Sequence, residues 1–419
     1  MTGRLLFLAH RFPYPPDKGD RIRSWHMLEH LARRWEVDLG CLSDDPADMD
    51  HMPYLREVCA AVRCEPVGTG MRAAARALLR VRPGLPLTLG WFHSPRLDAW
   101  VTAGLTARRY DAVVAFSSAM APYILRGMPP GPAPRSVLDL VDVDSEKWLA
   151  YAADAAPPRR QIWAREARTL LAFERRAAAV FDRTILVSKA ERDRFATLAP
   201  EVASRTDWVD NGVDLAHFDP ALRWPNPFEG LPGPALVFTG TMDYRPNVEA
   251  VLWFADEVMP LLRRVPWGDA GAPHFHIVGA RPSDAVRALA ARPDVHVTGR
   301  VPDTRPYIAH AAAAVAPLRI ARGIQNKVLE AMALGRPVVA SSPAFEGVRA
   351  EAGRDLLVVD GAAATAEAIT QVLRGGHRGL GLAARLAVTR GHDWSATLRR
   401  LDGMLEDRPR QVAGVEVAA

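Results

Sequence analysis

Short apolar runs recur along this chain, and each is followed by a stretch with helical spacing. In the first half the runs are Leu5–Ala9, Val37–Leu42, Asp111–Ser118, Val137–Val143 and Thr184–Val187. In the second half they are Ala235–Thr239, Phe275–Gly279, Val295–Gly299, Ala312–Leu318, Val338–Ser341 and Leu356–Asp360. Runs this short and continuously apolar fit strands buried on both faces, as in parallel sheets. Between them, Asp20 is placed to cap a helix with Ile22, Trp25, Leu28, Leu31 and Trp35 on one stripe. Tyr54 to Cys59, Pro157–Ala179 and Pro246–Leu262 also read as helices, as does His392 to about Leu405. Alternation of this kind predicts an α/β chain with two mostly parallel, doubly wound sheets. Ligands of such sheets bind at the C-terminal ends of the strands.

A length of 419 residues suggests two or three domains and permits large cores. The turn signal Trp208-Val209-Asp210-Asn211-Gly212-Val213-Asp214, followed by Phe218 and Pro220, marks a boundary, because Asn-Gly tolerates positive φ. A hairpin is the plain alternative, disfavoured by the lack of alternating strands around it. Asn226–Pro234 reads as linker. The expected domains are 1–206, completed by a C-terminal helix at about 393–407, and 207–392, with 408–419 as a tail.

Basic side chains number 53 against 48 acidic, a net +5 too diffuse to argue for nucleic acid but suited to anionic phosphates or lipid head groups. Cys41, Cys59 and Cys64 show no metal or redox spacing, and their odd number fits a reducing cytoplasm. The first apolar run is too short for a signal peptide, and Arg4 interrupts it. No apolar stretch approaches the roughly 20 residues that span a bilayer, so a soluble or peripheral protein is expected. Met71–Val81 carries Arg72, Arg76 and Arg80 at four-residue spacing. It reads either as a helix docking on anionic lipid or as a core-facing helix with its arginines in solvent.

The densest concentration of chemistry is Arg319–Ser342. Gly323 gives backbone freedom before a helix from Gln325 to Leu334, with apolar Val328, Leu329, Met332 and Ala333 at helical spacing. Gly335 is placed as a left-handed C-cap, and Pro337 forbids further helix. Lys327 and Glu330, three apart, share a face. A helix start with a glycine, Arg322 and Lys327 can hold a phosphate, and Glu330 one turn in can accept hydrogen bonds from a ribose diol. A solvated helix face with a routine ion pair is the bland alternative.

Two loops extend the candidate sites. Ala235–Thr239 ends in Gly240-Thr241-Met242-Asp243-Tyr244-Arg245-Pro246-Asn247, where a glycine between strand and helix allows a diphosphate on the helix start. The absence of GxGxxG argues against a dinucleotide cofactor. In the first half, His10 to Asp20 holds Gly19, where a backbone can approach a ligand, with Lys18, Asp20, Arg21 and His10 as neighbours. Asp142 ends the Val137–Val143 run and is a candidate general base or orienting group for an acceptor hydroxyl. Helix capping by Asp144 or Ser145 is the alternative for that cluster.

Glu330-Ala331-Met332-Ala333-Leu334-Gly335-Arg336-Pro337-Val338-Val339-Ala340 resembles the nucleotide-sugar motif of retaining glycosyltransferase family 4, of the GT-B fold. Asn211-Gly212-Val213-Asp214 with Phe218 and Pro220 resembles that family's second-domain opening. Where the family places a first glutamate, this chain has Arg322. The resemblance implies two Rossmann-like domains facing each other across a cleft, with the final helix crossing back onto the first domain. It implies transfer of a sugar from a UDP- or GDP-sugar to a saccharide or lipid-linked acceptor, with retention and with no required cofactor or metal. An exopolysaccharide or lipid-linked glycan pathway at the inner membrane face is the implied setting. In that scheme Arg322, Lys327 and backbone groups at Gly240 and Gly323 neutralise the diphosphate, with Arg245, Asn247 and Gln325 beside them. Glu330 holds the ribose, Arg300 and Val301 lie by the base, and the β-phosphate oxygen accepts the acceptor's proton. Domain closure excludes water. Sugar, base, acceptor, linkage and oligomeric state follow from no motif. An epimerase or hydrolase of the same fold would act on donor alone, and a non-catalytic binder would not turn over with any acceptor.

Overall fold

A computed structural model describes residues 3–16, 19–67, 84–128, 131–321 and 323–406. Met71–Val81, the tail from 408, Lys18 and Arg322 lie outside the described residues. The chain divides into two compact units, Met1–Asp210 with Leu398–Ala419, and Asn211–Thr397.

The first unit contains strands β1 (Arg4–Ala9), β2 (Glu36–Ser43), β3 (Ala61–Pro66), β4 (Ala112–Phe116), β5 (Arg135–Val141), β6 (Arg183–Leu186) and β7 (Thr206–Trp208). They form one sheet in the order β3-β2-β1-β4-β5-β6-β7, with every neighbouring pair parallel. Leu6, Leu8, Val113, Ala115, Leu138 and Leu140 line one face of its core against Met120, Tyr123, Ile124 and Phe173. Strands β3 and β7 escaped the reading of apolar runs. The first mixes charged and apolar residues at a sheet edge, and the second has only three residues, so neither makes a continuous apolar signal.

The helix Gly19–Ala32 begins one residue before the expected cap, and its buried face differs from the expected stripe. Arg21, Arg23, Ser24, His26, Met27, Leu28 and Leu31 are buried, whereas Ile22 and Trp25 are only half-buried and Trp35 follows the helix. The reason is electrostatic. Arg23 is 0 % exposed and donates from Nε to Asp139 Oδ2 at 2.8 Å and from Nη1 to the Val209 carbonyl at 2.8 Å. The first unit is completed by the end of the helix Trp394–Glu406: Asp402 pairs with His30 at 2.9 Å, and the Met404 carbonyl accepts from Arg135 Nε at 2.9 Å.

The second unit contains β8 (Ala235–Thr239), β9 (His274–Val278), β10 (Val295–Gly299), β11 (Ala313–Ala316), β12 (Val338–Ala340) and β13 (Leu357–Val358). Their order is β10-β9-β8-β11-β12-β13, again all parallel. Strand order therefore reverses between β1 and β4 in one sheet and between β8 and β11 in the other, the places where such sheets open a crevice for ligands. The expected helix from Pro246 is interrupted. Arg245–Trp253 and Met259–Arg263 are α-helical, joined by a wider π turn over Phe254–Val258. Pro260 has no N–H and its ring would strike the carbonyl one turn back, so the widened turn relieves a conflict written into the sequence.

The helix Asn326–Ala333 ends as expected. Gly335 has φ +66, Arg336 N–H donates to the Ala331 carbonyl and Gly335 N–H to that of Met332, each at 3.0 Å, which is a Schellman closure. Val328, Leu329, Ala331, Met332 and Ala333 are its buried face, leaving Lys327 and Glu330 on the partly open side.

Candidate functional site: a lysine at the switch point of the second sheet

Gly240 directly follows strand β8, and the segment after β11 leads through Gly323 into the helix Asn326–Ala333, so the two flank the switch point. Gly240 has φ +155 and Gly279, at the end of β9, has φ +154. A Cβ on Gly279 would lie 1.7 Å from the Gly240 carbonyl oxygen. One on Gly240 would lie 2.7 Å from Asn247 Nδ2 and 3.2 Å from Lys327 Nζ. The two strand ends thus pack backbone against backbone, and this brings Gly240 up to the side chains of Asn247 and Lys327. Asn247 Nδ2 donates to the Thr241 carbonyl at 2.9 Å, which fixes the amide so that its Oδ1 accepts from Lys327 Nζ at 2.5 Å. The ammonium also sits 4.2 Å from the centroid of the Phe238 ring.

Burial pushes the Lys327 amine down to about 7, with the charge of Glu330 opposing. Burial likewise pushes the Glu330 carboxyl up to about 7, with Lys327 opposing. Among the described residues no hydrogen bond holds that carboxylate in its charged form. Among the described residues the Lys327 amine contacts a neutral amide and a ring face and forms no ion pair within 4 Å, so an anion can approach it. The N-cap position, Gln325, makes no side-chain cap hydrogen bond to the helix and donates from Nε2 to the Gly323 carbonyl at 3.1 Å.

The structure therefore brings Gly240, Asn247 and Lys327 into contact, with Glu330 one turn away and Gly323 (φ +63) and Gln325 at the entry to the helix. Arg245 is exposed and pairs with Glu249 at 2.7 Å. Arg300 is exposed just after β10 and Val301 is half-buried against the core; among the described residues no hydrogen bond joins either to Lys327. Phe238 and Gly279 were not singled out from sequence. The available signal was that glycine terminates both the β8 and the β9 run at the same level.

In the first unit, Asp142 follows β5 directly. Val141 adopts φ +67, an unfavourable conformation for a β-branched residue, held because its N–H donates to Asp139 Oδ1 at 2.9 Å and its carbonyl accepts from Val187 at 2.7 Å. Glu191, on the helix Lys189–Leu198, accepts from Val143 N–H at 2.9 Å and so fixes the loop from the other side. Burial, then the charges of Glu191 and Asp144, push Asp142 up to about 7, with Lys147 and Arg23 opposing. The capping alternative does not hold: Val143 occupies the N-cap of the helix Asp144–Ala153 without a side-chain cap, and Ser145 Oγ donates to Glu174 at 2.6 Å. Burial holds Glu174 up at about 8. Gly19 is the first residue of its helix, is exposed and has no atom within 4 Å of where a Cβ would stand, so close packing does not require a glycine there. Asp20 pairs with Arg11 at 3.1 Å and lies 3.7 Å from His10. Among the described residues no group of three or more His, Cys, Asp or Glu is placed to hold a metal ion, and no helix is long and apolar enough to cross a membrane.

The two doubly wound parallel sheets, together with the solved structures the chain is similar to, define a GT-B fold. Residues 233–375 match the family model described as Glycosyl transferases group 1, which lies within the second unit and contains Gly240, Asn247, Lys327 and Glu330. The chain is similar to a sucrose-phosphate synthase from Thermosynechococcus elongatus (TM-score 0.66, 20% identity, covering 96% of this chain and 98% of that one). It is similar to Anabaena HepE in complex with UDP-glucose (TM-score 0.67, 15% identity, covering 97% and 100%). It is also similar to WaaG, a glycosyltransferase involved in lipopolysaccharide biosynthesis (TM-score 0.63, 15% identity, covering 96% and 100%). No curated protein matches the chain by sequence.

Proposed function

We propose that the chain is a retaining glycosyltransferase that moves a hexosyl group from a UDP- or GDP-sugar to a hydroxyl of a saccharide or lipid-linked acceptor. The observation that carries this reading is the Lys327 amine, held beside Gly240 by Asn247 at the switch point of the second sheet. The group 1 glycosyl transferase match over 233–375 and the UDP-glucose bound by a protein of similar fold support it.

In this proposal Lys327 and Arg322 meet the charge that develops on the leaving diphosphate, with the backbone N–H groups of Gly323 and Gln325 at the helix entry beside them; the Gly240 N–H is donated to the Val278 carbonyl at 3.0 Å, so that glycine contributes room for the ligand. Glu330 accepts from the ribose hydroxyls, and the backbone at Arg300 and Val301 borders the base. Arg245 contributes long-range positive charge once released from Glu249. Asp142, with Gly19 in the same unit, orients the acceptor hydroxyl, and the β-phosphate oxygen accepts its proton. The setting is the cytoplasm and the inner face of the cell membrane, in exopolysaccharide or lipid-linked glycan assembly.

Steady-state kinetics with UDP-glucose and other UDP- and GDP-sugars test the assignment. For Lys327→Ala, and separately for Arg322→Ala, kcat/KM for the donor falls about a hundredfold or more, the scale expected when one cation is lost from a developing charge. Near-normal constants for both variants would overturn it, as would turnover that is indifferent to every acceptor.

A further inference from the structure

Four rings meet on one side of the first unit. Tyr14, in the segment that follows β1, stacks on Tyr54 of the helix Met52–Val58, with centroids 4.8 Å apart and planes at 24°. Trp25 of the helix Gly19–Ala32 meets Tyr14 edge-on at 4.8 Å, and His51 does so at 5.5 Å. Two ion pairs hold these elements together. Arg11 reaches Asp44 at 2.7 Å, joining the segments after β1 and β2, and Arg21 reaches Asp48 at 2.9 Å within the core. The rings are therefore fixed before any ligand arrives. Tyr54 is nonetheless 50% exposed, and among the described residues no hydrogen bond engages the hydroxyl of Tyr14 or Tyr54. Asp50 and Glu57 stand one turn before and after Tyr54, exposed, and among the described residues neither is in an ion pair. Both ring-bearing segments leave the C-terminal ends of β1 and β2, the sheet edge that also holds the β1/β4 switch point.

We propose that this ring cluster is a stacking subsite for a neutral pyranose unit of the acceptor, remote from the hydroxyl that reacts. One face of a pyranose presents C–H groups of slight positive charge, which suit the negative face of an aromatic ring. The carboxylates of Asp50 and Glu57 accept from the sugar's hydroxyls at the rim. The same carboxylates repel anions, so a uronic acid, a nucleic acid or an anionic head group fits poorly. A single half-exposed ring is also far below the roughly 800 Å² per partner of a stable protein interface. Asp142 follows β5, three strand spacings from β2, or about 14 Å. An acceptor that reaches both places is therefore an oligosaccharide and not a single sugar. The subsite rests on the transferase reading only in calling the bound sugar part of an acceptor.

Saturation-transfer difference NMR of the full chain with cellobiose, maltose and lactose at millimolar concentration tests it, with glucuronic acid as the anionic control. At least one of the neutral disaccharides receives saturation from the wild-type chain, and glucuronic acid does not. Tyr54→Ala weakens that binding about tenfold, whereas Tyr54→Trp keeps it within about threefold because a ring face remains. Asp50→Ala with Glu57→Ala weakens it about fivefold through the lost acceptors. Circular dichroism and an unchanged thermal shift with UDP show that each variant is folded and that its second unit is intact. No saturation of any of the three disaccharides, equal binding by Tyr54→Ala, or equal binding of glucuronic acid overturns the proposal. A wild-type chain that binds the disaccharide but gives no thermal shift with UDP would instead count against the transferase reading and leave the saccharide site standing.

Discussion

The lowered Lys327 amine makes nucleotide binding a proton-linked event. In the free chain burial brings this group from 10.5 to about 7. A diphosphate beside it restores the charged form, because an opposite charge favours ionisation. At about pH 8 the free amine is roughly one-tenth protonated and the complexed amine almost fully so, which gives uptake of about 0.9 proton per UDP bound. A free value nearer 8 would still give about 0.5 proton. That pH isolates the lysine. Glu330, raised to about 7, is already about nine-tenths ionised there, and a phosphate with a second pKa near 6 is fully ionised. The sign is fixed by linkage. The complex holds more protons than its parts, so affinity falls as pH rises, by about fifty-fold between pH 7 and 9 for a group titrating near 7. Isothermal titration calorimetry in two buffers of different ionisation enthalpy reads the uptake directly. Lys327→Met keeps an unbranched side chain against Phe238, abolishes the uptake and flattens the pH dependence. Uptake below about 0.2 proton in the wild-type chain, or equal uptake in the variant, would refute the assignment of Lys327 as the anion's partner.

Glu330→Gln separates ribose from phosphate: UDP affinity falls about tenfold while that for inorganic pyrophosphate is unchanged or slightly higher, as calorimetry would show. Gly240→Ala places a methyl 2.7 Å from Asn247 Nδ2 and so displaces the Lys327 partner. Donor kcat/KM falls about a hundredfold, with circular dichroism unchanged. In the first unit, Arg23→Met leaves the buried Asp139 carboxylate without its cation and costs about 3–5 kcal/mol in urea unfolding, and Asp139→Leu added to it restores only part of that loss, because it also removes the acceptor of the Val141 N–H. Wild-type stability in the Asp139→Leu single variant would contradict the pairing, because that change takes the carboxylate from buried Arg23.

The chain's own pattern specified the architecture. Apolar runs with no alternation can be buried only on both faces, so two parallel sheets follow. Gly335 followed by Pro337 fixes where the helix carrying Lys327 and Glu330 must stop, and three-residue spacing fixes that they share a face. Those are local properties, set by backbone geometry within a turn or two. The site's electrostatics are not local. The bond from Lys327 to Asn247 spans 80 positions and that from Arg23 to Asp139 spans 116, and neither leaves a trace in periodicity. An arginine inside an amphipathic helix reads as solvent-facing until the carboxylate opposite it is known, which is why Ile22 and Trp25 were expected in the core in place of Arg23. Similarly, a glycine at a strand end reads as a turn until the neighbouring strand's glycine is found 1.7 Å from where its Cβ would reach. Sequence thus determined which side chains were available at the switch point. The packing of strand ends decided which of them touch, because burial and charge act through space and not along the chain.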